Sequence, residues 1–185
     1  MDPMCVDFLN SLWRDWRGSG RSEDRLDQPE WLDQFLSKWG LEVDDPNPPP
    51  GDALKELRDL LWRMVKALNE ERPLSDDDLA QLNAVWQRVP QYRRLLRVDT
   101  GYLTELVPPR KDWNWVLAEI AASFADLLIH HDPRRIKICE NPDCLWVFYD
   151  ESGNRSRRWC DDSHCGSLLK VRRFRARQKG ASESP

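Results

Sequence analysis

Four of the five cysteines lie close together in the C-terminal part of the chain. They form two pairs with the same internal spacing, Cys139-x4-Cys144 and Cys160-x4-Cys165, and fifteen residues separate the pairs. Structural zinc prefers four ligands such as thiolates at the corners of a tetrahedron, and two close pairs joined by a loop supply them with little ordering of the chain. The spacing therefore predicts one structural zinc ion bound by these four side chains.

Other arrangements use the same part of the chain. The four thiols could be buried without a metal, although packing alone does not require paired spacing, or His164 could replace one cysteine as a ligand. A catalytic zinc needs an open ligand position, whereas four thiolates close the coordination sphere, so the predicted site is structural. Cys5 is far away in the sequence and is predicted to be a core residue.

The residues between the two cysteine pairs predict a β-hairpin. Side chains alternate in character over 145–150, Ser152-Gly153-Asn154 suits a turn, and 156–159 can return as the second strand. A helix should follow over about 165–178. Two cysteine knuckles, a hairpin and a helix together predict a treble-clef-like zinc finger.

The helix predicted after the second pair combines an apolar and a basic pattern. Leu168, Val171 and Phe174 recur three residues apart and are expected to pack against the hairpin. Arginine suits phosphate oxygens and guanine edges, so the basic residues predict contact with DNA. The predicted nucleic-acid-binding residues are Arg155, Arg157 and Arg158 on the hairpin and Lys170, Arg172, Arg173, Arg175 and Arg177 on the helix.

The charge distribution indicates a polyanionic partner for one end of the chain only. Residues 1–133 contain 16 basic and 25 acidic residues, whereas residues 134–185 contain 12 basic and 7 acidic residues, in a chain of net charge −4. Such asymmetry is typical of a protein of which one end meets nucleic acid. The alternatives are a solvated basic tail, or a basic surface that binds an acidic protein or the acidic body of the same chain.

The first 133 residues predict a helical domain. Pro29 suits the first position of a helix and Gly40 its end, while Ser75 followed by three aspartates suits a capped helix start. Apolar side chains at helical spacing predict helices over 3–16, 29–39, 53–70, 76–89 and 112–131.

Three connecting segments punctuate these helices. GSGRSED at 18–24 is predicted to be a polar loop, and the proline-rich DDPNPPPGD at 44–52 a connector that cannot be helical. Residues 91–107 predict a short β-hairpin that turns at Asp99-Thr100-Gly101.

Composition argues against several classes of protein. Hydrophobic residues make up 40% of the chain and the mean hydropathy is −0.73, as in soluble proteins. Apolar runs fall short of the ~18 residues of a membrane helix, and the acidic start lacks the pattern of a secretory signal, so we expect a cytoplasmic protein without a membrane partner. A glycine-rich phosphate loop, a nucleophile elbow and a catalytic carboxylate cluster are missing, so we expect no enzymatic activity.

The segment CENPDCLWVFYDESGNRSRRWCDDSHCGSLLKVRRFRAR, which begins at Cys139, resembles the CGNR zinc finger at the C-terminus of bacterial transcription regulators. The resemblance covers about 134–177 and includes both cysteine pairs, the RRWC approach to the second pair and the KVRRFRAR tail. The body resembles the ABATE domain that precedes this finger. That second resemblance rests on DFLNSLW (7–13), WLDQFLSKWGL (31–41), ALKELRDLLW (53–62) and RIKICENPDC (135–144).

The resemblance implies a multihelical domain that senses a small ligand and a finger that binds DNA, in stress responses. Asn10 and Arg58 match recurrent polar positions in otherwise apolar segments, which makes them candidates for the ligand pocket. The competing roles are helix capping for Asn10 and a surface ion pair for Arg58, and these are preferred here.

The chain departs from the family motif at one place. Where the family has Cys-Gly-Asn-Arg, this chain has Cys165-Gly166-Ser167-Leu168. The metal ligand and the glycine are kept, so zinc binding should be unaffected. The lost Asn and Arg are expected to reduce the rigidity of the finger or its affinity for DNA.

These observations predict a mainly α fold in three parts. A multihelical ligand-sensing domain with a small hairpin should span 1–133, a CGNR-type finger 134–179 and a disordered tail 180–185. The predicted function is that of a DNA-binding transcription regulator with one zinc ion and a small-molecule ligand. The alternative is a protein-interaction adaptor whose basic finger binds an acidic partner. The sequence assigns no oligomeric state.

Overall fold

The computed structural model describes residues 3–45 and 47–182, with side chains up to residue 178. The described part contains six α-helices and three two-stranded antiparallel sheets. The helices are α1 (Met4–Leu9), α2 (Pro29–Trp39), α3 (Gly51–Asn69), α4 (Asp76–Gln87), α5 (Trp113–His130) and α6 (Ser167–Ser182). The strands are β1 (Leu12–Arg14), β2 (Ser22–Asp24), β3 (Tyr92–Val98), β4 (Gly101–Val107), β5 (Ile136–Ile138) and β6 (Val147–Tyr149).

About 51% of the described structure is helical, so the predicted mainly α fold is confirmed in part, with small hairpins beside the helices. The tail predicted over residues 180–185 overlaps the end of α6, because that helix includes residues 180–182. Residues 183–185 lie outside the described part of the chain.

The helix ends follow local capping signals. α2 starts with Pro29 and ends at Gly40, whose backbone is left-handed with a φ of 65°. The Ser75 side chain accepts a hydrogen bond from the backbone N–H of Asp78 at the start of α4, which satisfies one of the helix's free donors. Asp112 does the same for α5. The helices predicted from these signals are confirmed, with small shifts of their ends.

The helix predicted over 3–16 is wrong in its second half. α1 ends at Leu9, and Leu12–Arg14 forms β1, which pairs with Ser22–Asp24 in the segment predicted to be a loop. The chain can reverse between these strands because Gly18 and Gly20 take positive φ angles. The pattern of apolar side chains in this segment suits a helix, but strand pairing and long-range contacts decide its structure.

The hairpin predicted over 91–107 is confirmed. β3 and β4 pair from Tyr92↔Val107 to Val98↔Gly101, so the turn falls at the predicted position. Most of its side chains are exposed, and it stands apart from the core.

The main core lies between α1, α3 and α5. Its largest fully buried side chains include Phe8, Phe124 and Met64. Ile136 of β5 and Val147 of β6 belong to the same core, with 1% and 0% of their surface exposed. The short sheet that leads into the first cysteine pair is therefore packed into the helical domain, and segments on both sides of residue 133 share one core.

None of the helices in the described ranges is long and apolar enough to cross a membrane.

Candidate metal centre and nucleic-acid interface

The first cysteine pair lies on a knuckle between β5 and β6. The backbone N–H of Cys139 donates to the carbonyl of Trp146 at 2.8 Å, and that of Cys144 donates to the carbonyl of Asn141 at 2.9 Å. Leu145 takes a left-handed backbone conformation with a φ of 56°. These turns bring the two cysteine side chains to the same end of the sheet.

The strand pairing differs from the predicted one. β6 pairs with β5, which precedes the first cysteine, in the register Ile136↔Tyr149 to Ile138↔Val147. Residues 156–159, predicted to be the returning strand, form no strand. The alternation of Ile136, Lys137 and Ile138 was the signal that could have identified the correct partner.

Asp150 explains why the chain after β6 does not return as a strand. It is fully buried and accepts hydrogen bonds from Lys137 Nζ at 2.7 Å and from the backbone N–H of Arg157 at 3.1 Å. Burial alone would raise the pKa of Asp150, but the hydrogen bonds from Lys137 and Ser152 outweigh it and hold the pKa well below its usual range. The segment after β6 therefore wraps around this carboxylate.

Of the second cysteine pair, Cys165 lies on a tight helical turn, Asp162–Gly166, which leads into α6, and Cys160 lies two residues before that turn. The Asp161 side chain accepts a hydrogen bond from the backbone N–H of His164 at 2.8 Å and caps this turn. A Cβ atom on Gly166 would lie 2.8 Å from Asp162 Oδ1 and 3.1 Å from the Trp159 ring, so a larger residue would have to displace both side chains. This packing gives a physical reason for the glycine of the finger motif.

The two knuckles bring the four cysteine sulfurs together. All four Sγ atoms lie within 4.8 Å of one another, with 3.7 Å between Cys144 and Cys160 and 3.9 Å between Cys160 and Cys165. Zinc–sulfur bonds of ~2.3 Å in a tetrahedron place neighbouring sulfurs about 3.8 Å apart. The donor set and its geometry fit one structural zinc ion, and the predicted zinc ligands are confirmed as a group positioned to bind a single metal ion.

His164 and Cys5 are not part of this group. The His164 ring packs edge-on against Trp16 with 5.2 Å between ring centres, and its Nδ1 lies 3.0 Å from Asp161 Oδ1. Cys5 is buried in the main core, where its backbone N–H donates to Ser123, and burial raises its pKa to about 11. The expectation that Cys5 packs in the core is confirmed, and the alternative with a histidine ligand is wrong.

The proximity of the thiols makes their ionisation interdependent. The neighbouring side chains of Cys139 and Cys144 raise the pKa of Cys160, and burial raises the pKa of Cys165. A dication favours the thiolate forms, so metal binding releases protons. Zinc on these four side chains would supply folding free energy to both knuckles without an open position for catalysis.

Asn141 joins the cluster to the helical domain. Its side chain is fully buried, and its Nδ2 donates to the carbonyl of Trp16 at 2.8 Å and contacts Cys165 Sγ at 3.3 Å. The Trp16 ring packs against the cysteine cluster from the β1 side. The spacing of the cysteines gives no sign of this contact, because the partner is 125 residues away along the chain.

The two residues proposed for the ligand pocket have buried polar partners. Asn10 ends α1, and its side chain bonds to the backbone of Val147. Arg58 is 5% exposed and forms a forked ion pair with Asp24, at 2.6 and 2.7 Å, and a third hydrogen bond to Ser11. The ion pair expected for Arg58 therefore exists, but it is partly buried, with Arg58 5% and Asp24 20% exposed.

Arg155 and Arg158, two of the predicted nucleic-acid-binding residues that precede α6, form ion pairs within the protein. Arg155 Nη1 lies 3.4 Å from Asp132 Oδ2. Arg158 makes a forked contact with the carboxylate of Glu140, with Nε to Oε1 at 2.7 Å. Both pairs are partly exposed, and solvent-accessible ion pairs are weak, so either arginine can exchange its partner for a phosphate at small cost.

Two further arginines bind backbone carbonyls. Arg157 Nε donates to the carbonyl of Trp159 at 2.9 Å. Arg172 on α6 donates to Asp143 Oδ2 at 2.7 Å and to the carbonyl of Arg17 at 2.8 Å. Arg172 thus fixes α6 to the first knuckle and to the loop after β1, and it is the least available of the predicted contacts.

The other four residues of α6 that were predicted to bind nucleic acid are exposed. These residues include Lys170, Arg173 and Arg177. Together with Phe174 they follow the spacing i, i+3, i+4, i+7 along the chain, so they share one face of the helix. Arg175 lies beside this face. We call Lys170, Arg173, Phe174 and Arg177 the α6 face.

The expected packing of Phe174 and Val171 against the hairpin is wrong. Phe174 is 63% exposed and Val171 45%. The β5–β6 sheet is covered by α3 and α1 instead, so it offers α6 no apolar surface. An aromatic ring among three cations on an exposed helix face is a feature of the surface, not of the core.

At the departure from the family motif, Ser167 begins α6. Its hydroxyl donates to the carbonyl of Asp162 at 3.1 Å, so it stabilises the turn that carries Cys165. Leu168 is partly buried. The start of α6 is therefore formed without the asparagine of the motif.

The fold and the cluster together define a zinc-finger protein in which a helical domain carries a four-cysteine metal site at its C-terminal end. A comparison with family profiles matches residues 2–131 to ABATE, described as "Putative stress-induced transcription regulator", and residues 135–178 to the CGNR zinc finger. The chain belongs to the ABATE family and carries the CGNR finger, as the sequence predicted. A comparison with curated protein sequences returned no significant match.

Proposed function

We propose that this protein is a cytoplasmic, non-enzymatic transcription regulator that binds DNA through α6 and senses a small molecule through its helical domain. The single observation that carries the DNA-binding part is the α6 face. It presents three cations on one side of a helix, all of them exposed and without a carboxylate partner among the described residues.

The anchoring of α6 supports this orientation. Arg172 bonds to Asp143 and to the Arg17 carbonyl. Residues 172 and 174 are about 200° apart around a helix, so Phe174 points away from the rest of the protein, while Lys170 Nζ lies 5.5 Å from the centre of the Trp159 ring. A helix fixed along one side and basic along the other suits the major groove or the phosphates that border it.

Phe174 has a role in this proposal. An exposed aromatic side chain costs solubility and contributes nothing to the core, but it can contact a thymine methyl group or a sugar in a groove. We assign it to the DNA contact, with the flanking cations on the phosphates.

In this proposal the zinc site has a structural role: it orients α6 and takes part in no reaction. Cys165 lies in the turn that leads into α6, and Asn141 ties this cysteine to the helical domain. A change in the helical domain can therefore alter the position of α6 through the β1 segment. This connection is the physical route that we propose for ligand sensing.

The test measures binding to duplex DNA at several salt concentrations. The variant Lys170→Gln/Arg173→Gln/Arg177→Gln should bind weakly to all sequences, and its log–log salt slope should be lower by about 3, since each phosphate contact contributes about one. The control Arg93→Gln/Arg97→Gln/Arg110→Gln changes the net charge equally at exposed sites of the helical domain and should bind like the parent.

Two results would contradict the proposal. If the α6 variant bound DNA as well as the parent at moderate salt, α6 would not be the contact. If the parent bound acidic proteins tightly and DNA only weakly, the adaptor function would replace DNA binding.

A further inference from the structure

We propose that a cleft between α3, β1 and the first cysteine knuckle binds a small organic anion with an apolar body, such as an aromatic or medium-chain carboxylic acid. The proposal rests on the ligand-sensing part of the proposed function and names the chemical class of its ligand. The lining residues are Leu12, Arg14, Asp59, Trp62, Arg63, Lys66 and Leu145.

The floor of the cleft is apolar. Leu12, Trp62 and Leu145 are each partly buried and lie on three different elements, β1, α3 and the first knuckle. The volume is about 390 Å³, within the range of roughly 300–1,000 Å³ that is usual for small-molecule sites. An alkyl chain or an aromatic ring can cover these side chains and remove them from water.

The rim of the cleft is cationic. Among the described residues, the side chains of Arg14 and Lys66 make no ion pair or hydrogen bond, and both are exposed. Arg63 is held by Asp78 on α4 at 3.2 Å. One carboxylate, Asp59, also lines the cleft, so the balance of charge stays positive.

This positive rim contrasts with the domain around it. Residues 1–133 contain 25 acidic and 16 basic residues. Three cations around one apolar surface therefore differ from the excess of negative charge in the rest of the domain. Such a combination fits a ligand with a carboxylate at one end and a hydrocarbon at the other. The carboxylate would lie between Arg14 and Lys66, and the hydrocarbon over Trp62.

The position of the cleft links it to the metal site. Leu145 follows the zinc ligand Cys144 directly, and its left-handed backbone is part of the knuckle. Arg14 lies two residues before Trp16, which packs on the cysteine cluster. A ligand that contacts both sides of the cleft therefore favours one placement of the finger on the helical domain.

The experiment compares octanoate with octan-1-ol on the zinc-loaded full-length protein by isothermal titration calorimetry. The two probes have the same chain length and differ in charge. Octanoate should bind at least about tenfold more tightly, because only its carboxylate reaches the two free cations. Arg14→Gln/Lys66→Gln should abolish this preference, whereas Arg93→Gln/Arg110→Gln, a matched loss of two exposed positive charges, should keep it.

A variant that should tighten octanoate binding is also tested, because unfolding of a variant can weaken binding but cannot tighten it. Asp59→Asn removes the one carboxylate of the lining and should tighten octanoate binding severalfold without tightening octan-1-ol binding. Equal affinities for the two probes, or an unchanged preference in Arg14→Gln/Lys66→Gln, would overturn the proposal.

DNA binding is measured on the same preparations to separate this proposal from the proposed function. Octanoate binding without any DNA binding would overturn the role of α6 and leave the cleft in place. DNA binding with no charge-dependent octanoate binding would overturn the cleft alone.

Discussion

The side-chain amide of Asn10 makes two hydrogen bonds with the backbone of Val147, 137 residues away. Its Nδ2 donates to the Val147 carbonyl at 2.8 Å, and its Oδ1 accepts from the Val147 N–H at 2.9 Å. The amide thus pairs with β6 as a neighbouring strand would. Because β6 follows the first cysteine knuckle, this pair holds the metal site against the helical domain.

Asn10→Ala should destabilise the whole protein. The change leaves a buried N–H and a buried carbonyl of Val147 without partners, which costs about 2–4 kcal/mol. Urea unfolding followed by circular dichroism measures the effect. Asn114→Ala, at an exposed position of α5, is the control and should change the free energy of unfolding by less than about 0.5 kcal/mol. If Asn10→Ala and Asn114→Ala had equal free energies of unfolding, the hydrogen bonds between Asn10 and Val147 would not hold β6 against the helical domain.

Loss of zinc should destabilise more than the finger. Ile136 and Val147 flank the first knuckle and are buried in the main core, so disorder of the knuckle exposes apolar surface of α1 and α3. Cys165→Ser should therefore abolish stoichiometric zinc binding and lower the melting temperature of the helical signal. Cys5→Ser should keep one zinc per chain by metal analysis. A helical domain that melts at the parent's temperature after zinc loss would show that the two parts are independent.

Phe174→Ala and Phe148→Ala should act in opposite ways. Phe148 is 3% exposed beside the cysteine cluster, and its loss should cost about 3–5 kcal/mol of stability. Phe174 is on the α6 face, so its loss should leave the melting temperature unchanged and weaken DNA binding. Thermal melts and a DNA titration of both variants provide the comparison. A large drop in melting temperature for Phe174→Ala would show that this side chain packs within the folded protein.

The partly buried ion pair of Arg58 and Asp24 should make stability depend on acid. The hydrogen bond from Arg58 holds the pKa of Asp24 below its usual 3.8. A carboxylate with a lowered pKa contributes stability that is complete above the unfolded-state pKa and is lost as the pH falls through the folded-state pKa. The urea midpoint should therefore drop below about pH 4.

Asp24→Asn tests this assignment, because it removes the titrating group but keeps its size. The variant should be less stable than the parent at pH 7 and should lose less stability between pH 5 and pH 3. Asp33→Asn, at an exposed position of α2, should keep the parent's acid dependence. If Asp24→Asn kept the full acid dependence, other carboxylates would account for it.

Local chemistry explains what could be predicted. The metal ligands were identifiable because thiolate donors at paired spacing have few other uses, and the ends of α2, α4 and α5 because their capping groups lie within one turn. The second half of the helix over 3–16 was predicted wrongly, since the apolar spacing of that segment also fits a short strand. The strand β6 was predicted to pair with residues 156–159. Its actual partner β5 was missed because β5 is only three residues long and is stabilised by packing on α3.

The metal, its four ligands, the family and the concentration of positive charge near the C-terminus could be identified without the structure, since each depends on residue type and on spacing along the chain. Tertiary structure decided which of the basic residues are free. Arg172 and Arg173 are adjacent and chemically the same, yet one binds Asp143 and a backbone carbonyl while the other is exposed. It also decided that Asn10 pairs with a strand and that Arg14 and Lys66 meet at one cleft. These relationships arise between segments far apart in the chain, where composition and periodicity carry no information about contact.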